Sequence, residues 1–350
     1  MTIRAGLIGY GLAGRVFHAP LLQAAGMEVT LVSSSRREEV ARHLPKAKVV
    51  ADPIAVATNQ NVDLVVIASP NDTHFPLAMA ALQAGRAVVV DKPFTHTVAE
   101  AEQLIATARA QGCMLSVFHN RRWDSDYQTL KACMARGDLG EVLSYQCRFD
   151  RYRPDVTDRW REKAVPGVGL FFDLGPHLVD QALQLFGWPD WLVADLNMQR
   201  VGTLVDDGFY LLMGKGKLRI LLAATVLAAA PEPKFVVHGT RGSFVKTGID
   251  VQEDQLKTGL RPGDTGFGVE PVGHAARVTT MRDGVAETTV VPTLAGDYAA
   301  YYVGIRKALE RGAGLPATVP VTAEDALDSM HILELACRSH REGIRISLQR

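Results

Sequence analysis

Short apolar runs alternate with amphipathic patterns through the first part of the chain. The apolar runs predict the strands Ile3–Ile8, Glu28–Ser33, Val62–Ala68, Ala87–Val90 and Leu115–Phe118. The amphipathic segments between them predict the helices Arg15–Ala24, Glu38–Leu44, His74–Ala84 and Val98–Gln111. Strands that are apolar along their whole length are typical of sheets covered by helices on both faces. The alternation therefore predicts a doubly wound parallel sheet over residues 1–122, with ligands bound at the carboxyl ends of its strands.

The pattern changes after residue 122. Helices are predicted over Ser125–Arg136 and up to Phe186, where Gly187 ends the second helix. Strand-like runs joined by turn residues are Val142–Phe149, Leu192–Arg200, Phe209–Met213, Leu218–Val226, Phe235–His238, Gly242–Thr247 and Glu287–Val291. Two helices, Tyr298–Arg311 and Ala323–Arg341, end the chain. This order predicts an α+β domain over residues 123–350 with an open, mainly antiparallel sheet, whose last helix packs back on the first domain.

A glycine-rich turn joins the first predicted strand to the first predicted helix. Its residues are Gly9-Tyr10-Gly11-Leu12-Ala13-Gly14. Gly9 can turn tightly, Gly11 lets a pyrophosphate approach the backbone, and Gly14 lets the helix pack close to the strand. The helix N-terminus offers N–H groups and the positive end of a dipole to phosphates. The turn therefore predicts a dinucleotide site, against the alternative of a glycine-rich turn with no ligand.

The residues after the second strand bear on which nucleotide is preferred. Ser33-Ser34-Ser35-Arg36-Arg37 stand where an NAD site carries an acidic residue for the ribose 2′-hydroxyl, and the first acid after this strand is Glu38. Small hydroxyls and guanidinium groups suit a 2′-phosphate. We therefore predict NADP, with NAD as the alternative, and assign Ser34, Ser35 and Arg36 to the nucleotide. The same residues can also be solvated and cap the next helix, with Ser35 as the N-cap.

Polar residues also follow the third, fourth and fifth strands. They are Ser69, Pro70, Asn71 and His74, then Asp91 and Lys92, then Asn120 and Arg122. Each group alone has an ordinary explanation as a turn, a helix cap or a loop lysine. Because the carboxyl ends of parallel strands share one edge of a sheet, we assign all of them to the cofactor site.

A second candidate for chemistry lies before Phe186. Asp173 and His177 are four residues apart and share a helix face, with Asp180 on the same side. An imidazole can accept a proton at neutral pH, and a carboxylate beside it can orient the ring. Three alternatives remain open: Asp173 caps the helix, His177 is a satisfied core histidine, or the spacing binds a metal. We expect no metal, because no further His/Cys cluster is present in the sequence.

Composition excludes several classes of protein. Lys+Arg and Asp+Glu are both 38, so the net charge of zero predicts neither a nucleic-acid nor a membrane partner. The longest apolar run, Ile220–Ala230, is too short to span a bilayer, and the N-terminus does not read as a signal peptide. The 4 scattered cysteines predict reduced thiols and a cytoplasmic location.

The combined motifs resemble the Gfo/Idh/MocA family of oxidoreductases over nearly the whole chain. The resemblance rests on Gly9-x-Gly11-x-x-Gly14, Ser69-Pro70-Asn71-x-x-His74, Asp91-Lys92-Pro93 and Gly169-x3-Asp173-x-Gly175-x-His177-x2-Asp180. Three further segments look closest to the NADP-dependent scyllo-inositol dehydrogenase branch: Asn120–Asp124, Arg151–Pro154 and Trp160–Lys163. One departure is Asp91, where the family usually has Glu, so the carboxylate is kept but its reach toward Lys92 is shorter.

The resemblance implies a Rossmann domain and a second domain whose open sheet often builds a homodimer, with a tetramer as the alternative. It implies a catalytic group of Lys92, Asp173 and His177, and a hydride transfer between nicotinamide and a secondary alcohol or ketone of a polyol or sugar. We assign Tyr152, Trp160, Arg161, Asp173 and His177 to the substrate site. The alternatives are a nucleotide-binding regulator or sensor without turnover, and an NAD-dependent glycosidase or lyase.

Overall fold

The computed structural model describes residues 2–157, 167–312 and 319–349 of the chain. Close contacts divide the chain into two compact units. The first consists of Met1–Trp123, Gln252–Gly268 and Asp297–Met330. The second consists of Asp124–Val251, Val269–Gly296 and His331–Arg350. The first unit therefore includes, besides the segment up to Trp123, two segments from much later in the chain.

The described part of the first unit contains a six-stranded parallel sheet. Its strands are β1 (Arg4–Ile8), β2 (Glu28–Ser33), β3 (Lys48–Val50), β4 (Leu64–Ile67), β5 (Ala87–Val90) and β6 (Leu115–Val117), in the order β3-β2-β1-β4-β5-β6. The helices are α1 (Ala19–Ala24), which continues a π-helical turn over Ala13–His18, then α2 (Arg37–His43), α3 (Ile54–Ala57), α4 (His74–Gln83) and α5 (Val98–Gln111). This is the predicted doubly wound arrangement, and the fold class of the domain is confirmed.

Two helices from late in the chain complete this unit. They are α8 (Gln252–Thr258) and α9 (Ala299–Glu310), and the first residues of α10 (Ala323–Glu342) join them. Tyr301, Tyr302 and Ile305 of α9 lie fully buried in the same hydrophobic core as Leu7 and Leu21. The opening residues of α10 pack in a second core of this unit, where Ala323 and Ala326 are buried. Apolar burial thus ties the late segments to the sheet.

The second unit is built on a nine-stranded sheet within the described ranges. Its strands are β7 (Val142–Arg148), β8 (Trp191–Asn197), β9 (Gly208–Lys215), β10 (Leu218–Thr225), β11 (Phe235–Gly239), β12 (Gly242–Lys246), β13 (Ala276–Arg282), β14 (Val285–Val291) and β15 (Ile346–Ser347). Their order is β14-β13-β12-β11-β7-β10-β9-β8-β15, and the pairing is antiparallel except between β7 and β10. The predicted mainly antiparallel sheet is confirmed.

Helices cover one face of this sheet. They are α6 (Ser125–Ala135), α7 (Leu170–Phe186) and the second part of α10. Tyr145, Phe209 and Phe244 of the sheet share a core with Phe171 and Leu174 of α7, and all five are buried. Because α7 is amphipathic, burying its apolar side fixes which of its residues face the sheet.

Several elements were missed from the sequence. The strands β3 and β15 and the helix α3 are only 3, 2 and 4 residues long, which is too short for a hydrophobic period to show. The strand β13 was missed although its signal is present. Asp283 and Gly284 form the turn to β14, both with positive φ (51° and 80°), and Asp-Gly is a strong hairpin signal.

Within the described ranges, none of the helices combines enough length with enough apolar character to cross a bilayer.

Candidate active site

The first turn needs glycine at three positions, each for a different structural reason. Gly9 has φ +94°, and a Cβ there would lie 2.5 Å from the carbonyl oxygen of Ala68. A Cβ on Gly14 would overlap the carbonyl oxygen of Gly9, so the helix packs close only because none is present. A Cβ on Gly11 would meet nothing within 4 Å. Gly11 therefore leaves open space in front of the backbone, and this open space fits a bound pyrophosphate.

The glycine turn lies where the order of the strands reverses. β1 pairs with β2 on one side and β4 on the other, and chain order runs outward in both directions from there. The main chain of Gly9 donates to the carbonyl of Ser33 across 3.0 Å, and that of Ala68 donates to the carbonyl of Ile8 across 2.8 Å. The turns after β1, β2 and β4 are thus bound together at this point, which is where doubly wound sheets bind nucleotides.

The predicted nucleotide residues after β2 are partly open to solvent. The Ser34 hydroxyl accepts a hydrogen bond from the Arg36 amide at 3.0 Å. The Arg36 side chain is 52% exposed and its guanidinium lies 3.5 Å from both carboxylate oxygens of Glu39. The alternative that Ser35 caps the helix is wrong, since α2 begins at Arg37 and Arg36 occupies the cap position. The hydrogen bond from the Arg36 amide to the Ser34 hydroxyl turns the chain just before the helix begins. The cap position therefore falls on Arg36 and not on Ser35.

The loop after β4 is held by its own hydroxyl groups. Ser69 Oγ lies 2.5 Å from Thr73 Oγ1, which donates to the carbonyl of Pro70 across 2.7 Å. Asn71 is half-buried at the start of a short 3-10 turn over Asn71–Thr73. These contacts shape the loop that was predicted to meet the cofactor.

His74 is buried, and both of its ring nitrogens face main-chain carbonyl groups. Nδ1 lies 2.8 Å from the oxygen of Pro93, and Nε2 lies 3.1 Å from the oxygen of Ser69. Burial lowers the pKa of His74, against the opposing effects of Asp91 and of the carbonyl groups. The ring therefore links the loop after β4 to the loop after β5, and both loops carry predicted site residues.

Asp91 directly follows β5, and its carboxylate contacts the main chain of the next residue, Lys92. Its Oδ1 accepts the amide of Lys92 at 2.8 Å, and the peptide bond from Lys92 to Pro93 is cis. The shorter acid thus contacts the lysine at its main-chain amide. Asp91 Oδ2 lies 3.5 Å from Nε2 of His18, a residue that sequence reasoning did not single out.

The predicted site residues after β6 are buried, unlike those after β2. Asn120 and Arg122 are 6% and 8% exposed. The Arg122 guanidinium donates to the carboxylate of Asp325 at 3.1 Å and to the carbonyl of Pro320 at 3.2 Å. These contacts attach the start of α10 to the parallel sheet, and the assignment of both residues to the cofactor stays a prediction.

In the second unit, α7 carries the predicted acid and histidine. The helix begins at Leu170, so Asp173 lies in its first turn and is not its cap; Pro176 lies inside the helix. His177 is 7% exposed and Asp180 is 2% exposed. Asp173 Oδ2 lies 3.9 Å from a guanidinium nitrogen of Arg151. A first-turn carboxylate interacts favourably with the helix dipole, and the spacing of four residues places Asp173 and His177 on the same helix face.

The cap of α7 comes from a residue that the sequence analysis missed. Gly169 precedes the helix with φ +99°, and a Cβ there would overlap the carboxylate of Asp206. Asp206 accepts the amide of Phe171 at 2.6 Å through its side chain and the amide of Leu170 at 2.9 Å through its main chain. Burial raises the pKa of Asp206 to about 6, although the hydrogen bond from Phe171 opposes the shift. No local signal marks this contact, because the two partners are far apart in sequence.

The predicted substrate residues divide into described and undescribed ones. Tyr152 is 59% exposed, and its main chain pairs with Leu227 in an isolated bridge. Trp160 and Arg161 lie outside the described residues. Lys92 belongs to the first unit and Asp173 and His177 to the second, so their joint role stays a prediction.

Two models of known protein families match most of the chain. A family model described as an oxidoreductase family with an NAD-binding Rossmann fold matches residues 3–119, and the model of that family's C-terminal alpha/beta domain matches residues 131–348. The uncharacterised oxidoreductase YdgJ of Escherichia coli is 46% identical and is covered over 99% of each chain. The scyllo-inositol 2-dehydrogenase (NADP(+)) IolW of Bacillus subtilis is 39% identical, over 99% of this chain and 96% of the relative.

Solved structures are also similar along the whole chain. An oxidoreductase from Bacillus subtilis superposes with a TM-score of 0.96 at 38% identity, covering 99% of both chains. An oxidoreductase from Yersinia pestis superposes with a TM-score of 0.94 at 45% identity, covering 100% of this chain and 98% of the other. The predicted resemblance is confirmed, and the chain belongs to the Gfo/Idh/MocA family of NAD(P)-binding oxidoreductases.

Proposed function

We propose that the chain is an NADP-dependent dehydrogenase or reductase acting on a secondary alcohol or ketone of a polyol or sugar. The observation that carries the proposal is that an acid and a histidine share one face of α7, while a lysine follows β5 on the ligand-binding edge of the parallel sheet. The relative named as a scyllo-inositol dehydrogenase supports the substrate class, and an inositol is our first candidate.

Three side chains divide the proton chemistry between them. His177 takes the hydroxyl proton of the substrate during oxidation and returns it during reduction. Asp173 orients the imidazole and offsets the positive charge that develops on it. The ammonium group of Lys92 donates to the same substrate oxygen and stabilises its alkoxide character. When bound, the nicotinamide supplies the hydride acceptor or donor. Tyr152, Trp160 and Arg161 are proposed to contact the hydroxyl groups that distinguish one sugar from another.

The preference for NADP over NAD rests on the residues after β2. Arg36 is exposed there and the next acidic residues, Glu38 and Glu39, already lie in α2. A guanidinium can bind a 2′-phosphate, whereas an unmodified ribose offers it no opposite charge. The relative IolW is named as NADP-dependent, which supports the same choice.

Assembly and location are also proposed. Exposed apolar side chains on strands of the second sheet, such as Tyr210, Val285 and Val290, favour a second copy of the chain as a partner, and we propose a homodimer. The thiols of Cys113, Cys133, Cys147 and Cys337 are all free. Burial raises the pKa of Cys147 and of Cys337 to about 11. Cysteines that form no disulfide are typical of a reducing compartment, and we propose a cytoplasmic location.

The proposal is tested by screening purified protein against inositols, aldoses and their keto forms while following the absorbance of the reduced nicotinamide. We expect consumption of NADPH, or production from NADP, in equal amounts with product. Product formed without net change of the nucleotide would favour the glycosidase or lyase alternative. Nucleotide binding with no turnover of any substrate would favour the regulator.

The catalytic roles are tested with Lys92→Met and His177→Asn. Each should lower kcat by orders of magnitude, far more than it lowers the affinity for NADPH, because most of the residues assigned to the nucleotide are unchanged in both variants. Near-normal turnover in both variants would contradict the assignment.

A further inference from the structure

We propose that His18 and Tyr302 act as a positioning pair for Lys92, by holding the Asp91 carboxylate that in turn holds the main chain of the lysine. The inference rests on the proposed function, in which Lys92 donates to the reacting oxygen. All four residues belong to the first unit, but they come from three separate segments of it: the turn after β1, the loop after β5 and the helix α9.

The contact with Tyr302 is the basis for assigning the ring proton of His18 to one of its two nitrogens. His18 and Tyr302 are both 0% exposed, and His18 Nδ1 lies 2.6 Å from the Tyr302 hydroxyl. Burial, together with Tyr301 and Asp91, raises the pKa of Tyr302 well above its ordinary value, so the hydroxyl keeps its proton. A hydroxyl that donates to Nδ1 leaves the ring proton on Nε2. That nitrogen is the one nearer to Asp91, with its carboxylate oxygen Oδ2 3.5 Å away.

Aromatic packing keeps the imidazole in that orientation. The His18 ring centroid lies 4.4 Å from that of Phe118, and the centroid of Tyr302 lies 5.8 Å from that of Phe118. The three rings form one buried group, so rotation of the imidazole would require the neighbours to move. The ring is thus held by packing as well as by its hydrogen bond.

Asp91 connects His18 to the main chain of Lys92. One carboxylate oxygen lies 3.5 Å from His18 Nε2, and the other accepts the Lys92 amide at 2.8 Å. Burial works to raise the pKa of Asp91, but His18 first, and then Lys92 and His74, lower it below the usual value. The carboxylate therefore stays charged, and a charged acceptor makes the stronger hydrogen bond to the lysine amide.

The other side of the same loop is held by His74. Its Nδ1 lies 2.8 Å from the carbonyl oxygen of Pro93, the residue after Lys92. Asp91 therefore holds the main chain at the amide of Lys92, and His74 holds it at the carbonyl of the next residue, Pro93. A displacement of about 1 Å of a reacting group can cost about a hundredfold in rate, which is the reason to expect an effect from a residue that touches no substrate.

The test compares Tyr302→Phe with Tyr301→Phe. Tyr301 is the matched control, since it is also 0% exposed on α9, but its hydroxyl lies 2.8 Å from Ser116 Oγ. We measure kcat and KM with NADP and the polyol that is turned over fastest, thermal unfolding, and the isotope effect with deuterium at the transferred position. Tyr302→Phe should lower kcat about tenfold, raise the isotope effect on kcat and leave the KM for NADP unchanged. Tyr301→Phe should keep wild-type kcat at a similar melting temperature.

A second pair of variants covers the case in which Tyr302→Phe fails to fold. His18→Leu removes the N–H, whereas His18→Gln offers an amide donor in its place, so Gln should restore most of the kcat that Leu loses. Equal kcat in wild type, Tyr302→Phe and His18→Leu overturns the inference. Equal losses in Tyr302→Phe and Tyr301→Phe also overturn it, because they indicate a general packing effect.

A spectroscopic readout is independent of turnover. In NMR spectra of the nucleotide-bound protein, the imidazole nitrogens of His18 should show the proton on Nε2, and Tyr302→Phe should weaken that preference. A proton on Nδ1 in the wild type overturns the inference. Failure of the proposed function is distinguished by Lys92→Met: if that variant keeps normal turnover, the role of the lysine is wrong. If it loses turnover while the His18 and Tyr302 variants do not, only the positioning pair is wrong.

Discussion

The carboxylate of Asp206 accepts the main-chain amide of Phe171 across 2.6 Å and so caps the helix that carries Asp173 and His177. The residue just before the helix, Gly169, has no side chain to serve as a cap, and a Cβ there would overlap that carboxylate. The cap is therefore supplied from a different part of the chain. The position of the helix start, and with it the first-turn Asp173, depends on this long-range contact.

Asp206→Asn should change how stability depends on pH. Burial raises the pKa of Asp206 to about 6 from 3.8, so the folded state binds a proton more tightly than the unfolded chain does. The stability from this proton is fully present below pH 3.8 and is lost as the pH rises through about 6. Asparagine keeps an acceptor for Phe171 and does not ionise. The variant should match the wild type at acid pH and exceed it at pH ~8, by on the order of 3 kcal/mol.

Urea unfolding at several pH values checks this expectation, with Asp206→Ala as the control. Alanine removes the acceptor, so its cost of about 1 kcal/mol should be present at acid pH as well. A stability difference between Asp206→Asn and the wild type that does not change between acid and alkaline pH would show that Asp206 does not titrate in this range.

Gly11→Ala should weaken nucleotide binding without loss of stability. A Cβ at Gly11 meets no atom within 4 Å in the protein, so the variant can fold, but the methyl group occupies the space in front of the backbone. We expect the affinity for NADPH to fall at least about tenfold. Gly273→Ala is the matched control, because a Cβ there also meets nothing within 4 Å and it lies in the second unit. Fluorescence titration gives both affinities. Equal affinities in the two variants would show that the pyrophosphate does not lie against Gly11.

Arg36→Ala should change the choice between the two nucleotides. A charge-assisted contact to a phosphate contributes about 1.5–3 kcal/mol, so the affinity for NADP should fall about tenfold or more while that for NAD stays the same. Arg42→Ala, in the last turn of α2, is the control for the loss of one positive charge. Calorimetric titration with each nucleotide measures the ratio. An unchanged ratio in Arg36→Ala would place the 2′-phosphate elsewhere.

Lys246→Met should destabilise the second unit strongly. Lys246 Nζ lies 2.7 Å from a carboxylate oxygen of Glu270, and both side chains are 0% exposed. Glu270 also accepts a hydrogen bond from the Ser125 hydroxyl. Removing the ammonium leaves a buried carboxylate without its opposite charge, which costs on the order of 3–5 kcal/mol. Lys307→Met on the exposed side of α9 is a control for the substitution itself. Urea denaturation followed by circular dichroism measures both, and a loss below about 1 kcal/mol in Lys246→Met would contradict the argument.

Much of the fold and part of the candidate site could be predicted from the sequence because they depend on neighbouring residues. The apolar strands of the parallel sheet, the turn from Gly9 to Gly14, and the shared helix face of Asp173 and His177 all follow from local spacing, since a strand, a turn or a helix imposes its own period on the chain. The same local reasoning misplaced the cap of α2 at Ser35, where a competing hydrogen bond between Ser34 and Arg36 sets the turn.

Only the tertiary structure decided which distant residues meet. Nothing around Asp206 predicts that it caps α7, and nothing around His18 predicts that it lies against both Tyr302 and Asp91. Nor does the order of the chain predict that α8 and α9 complete the first unit. Such contacts are selected by burial of apolar surface and by the need of each buried polar group for a partner, and both depend on the whole packed chain. The sequence alone therefore determined most of the elements and the side chains available for chemistry, and the packing decided which distant residues hold those side chains in place.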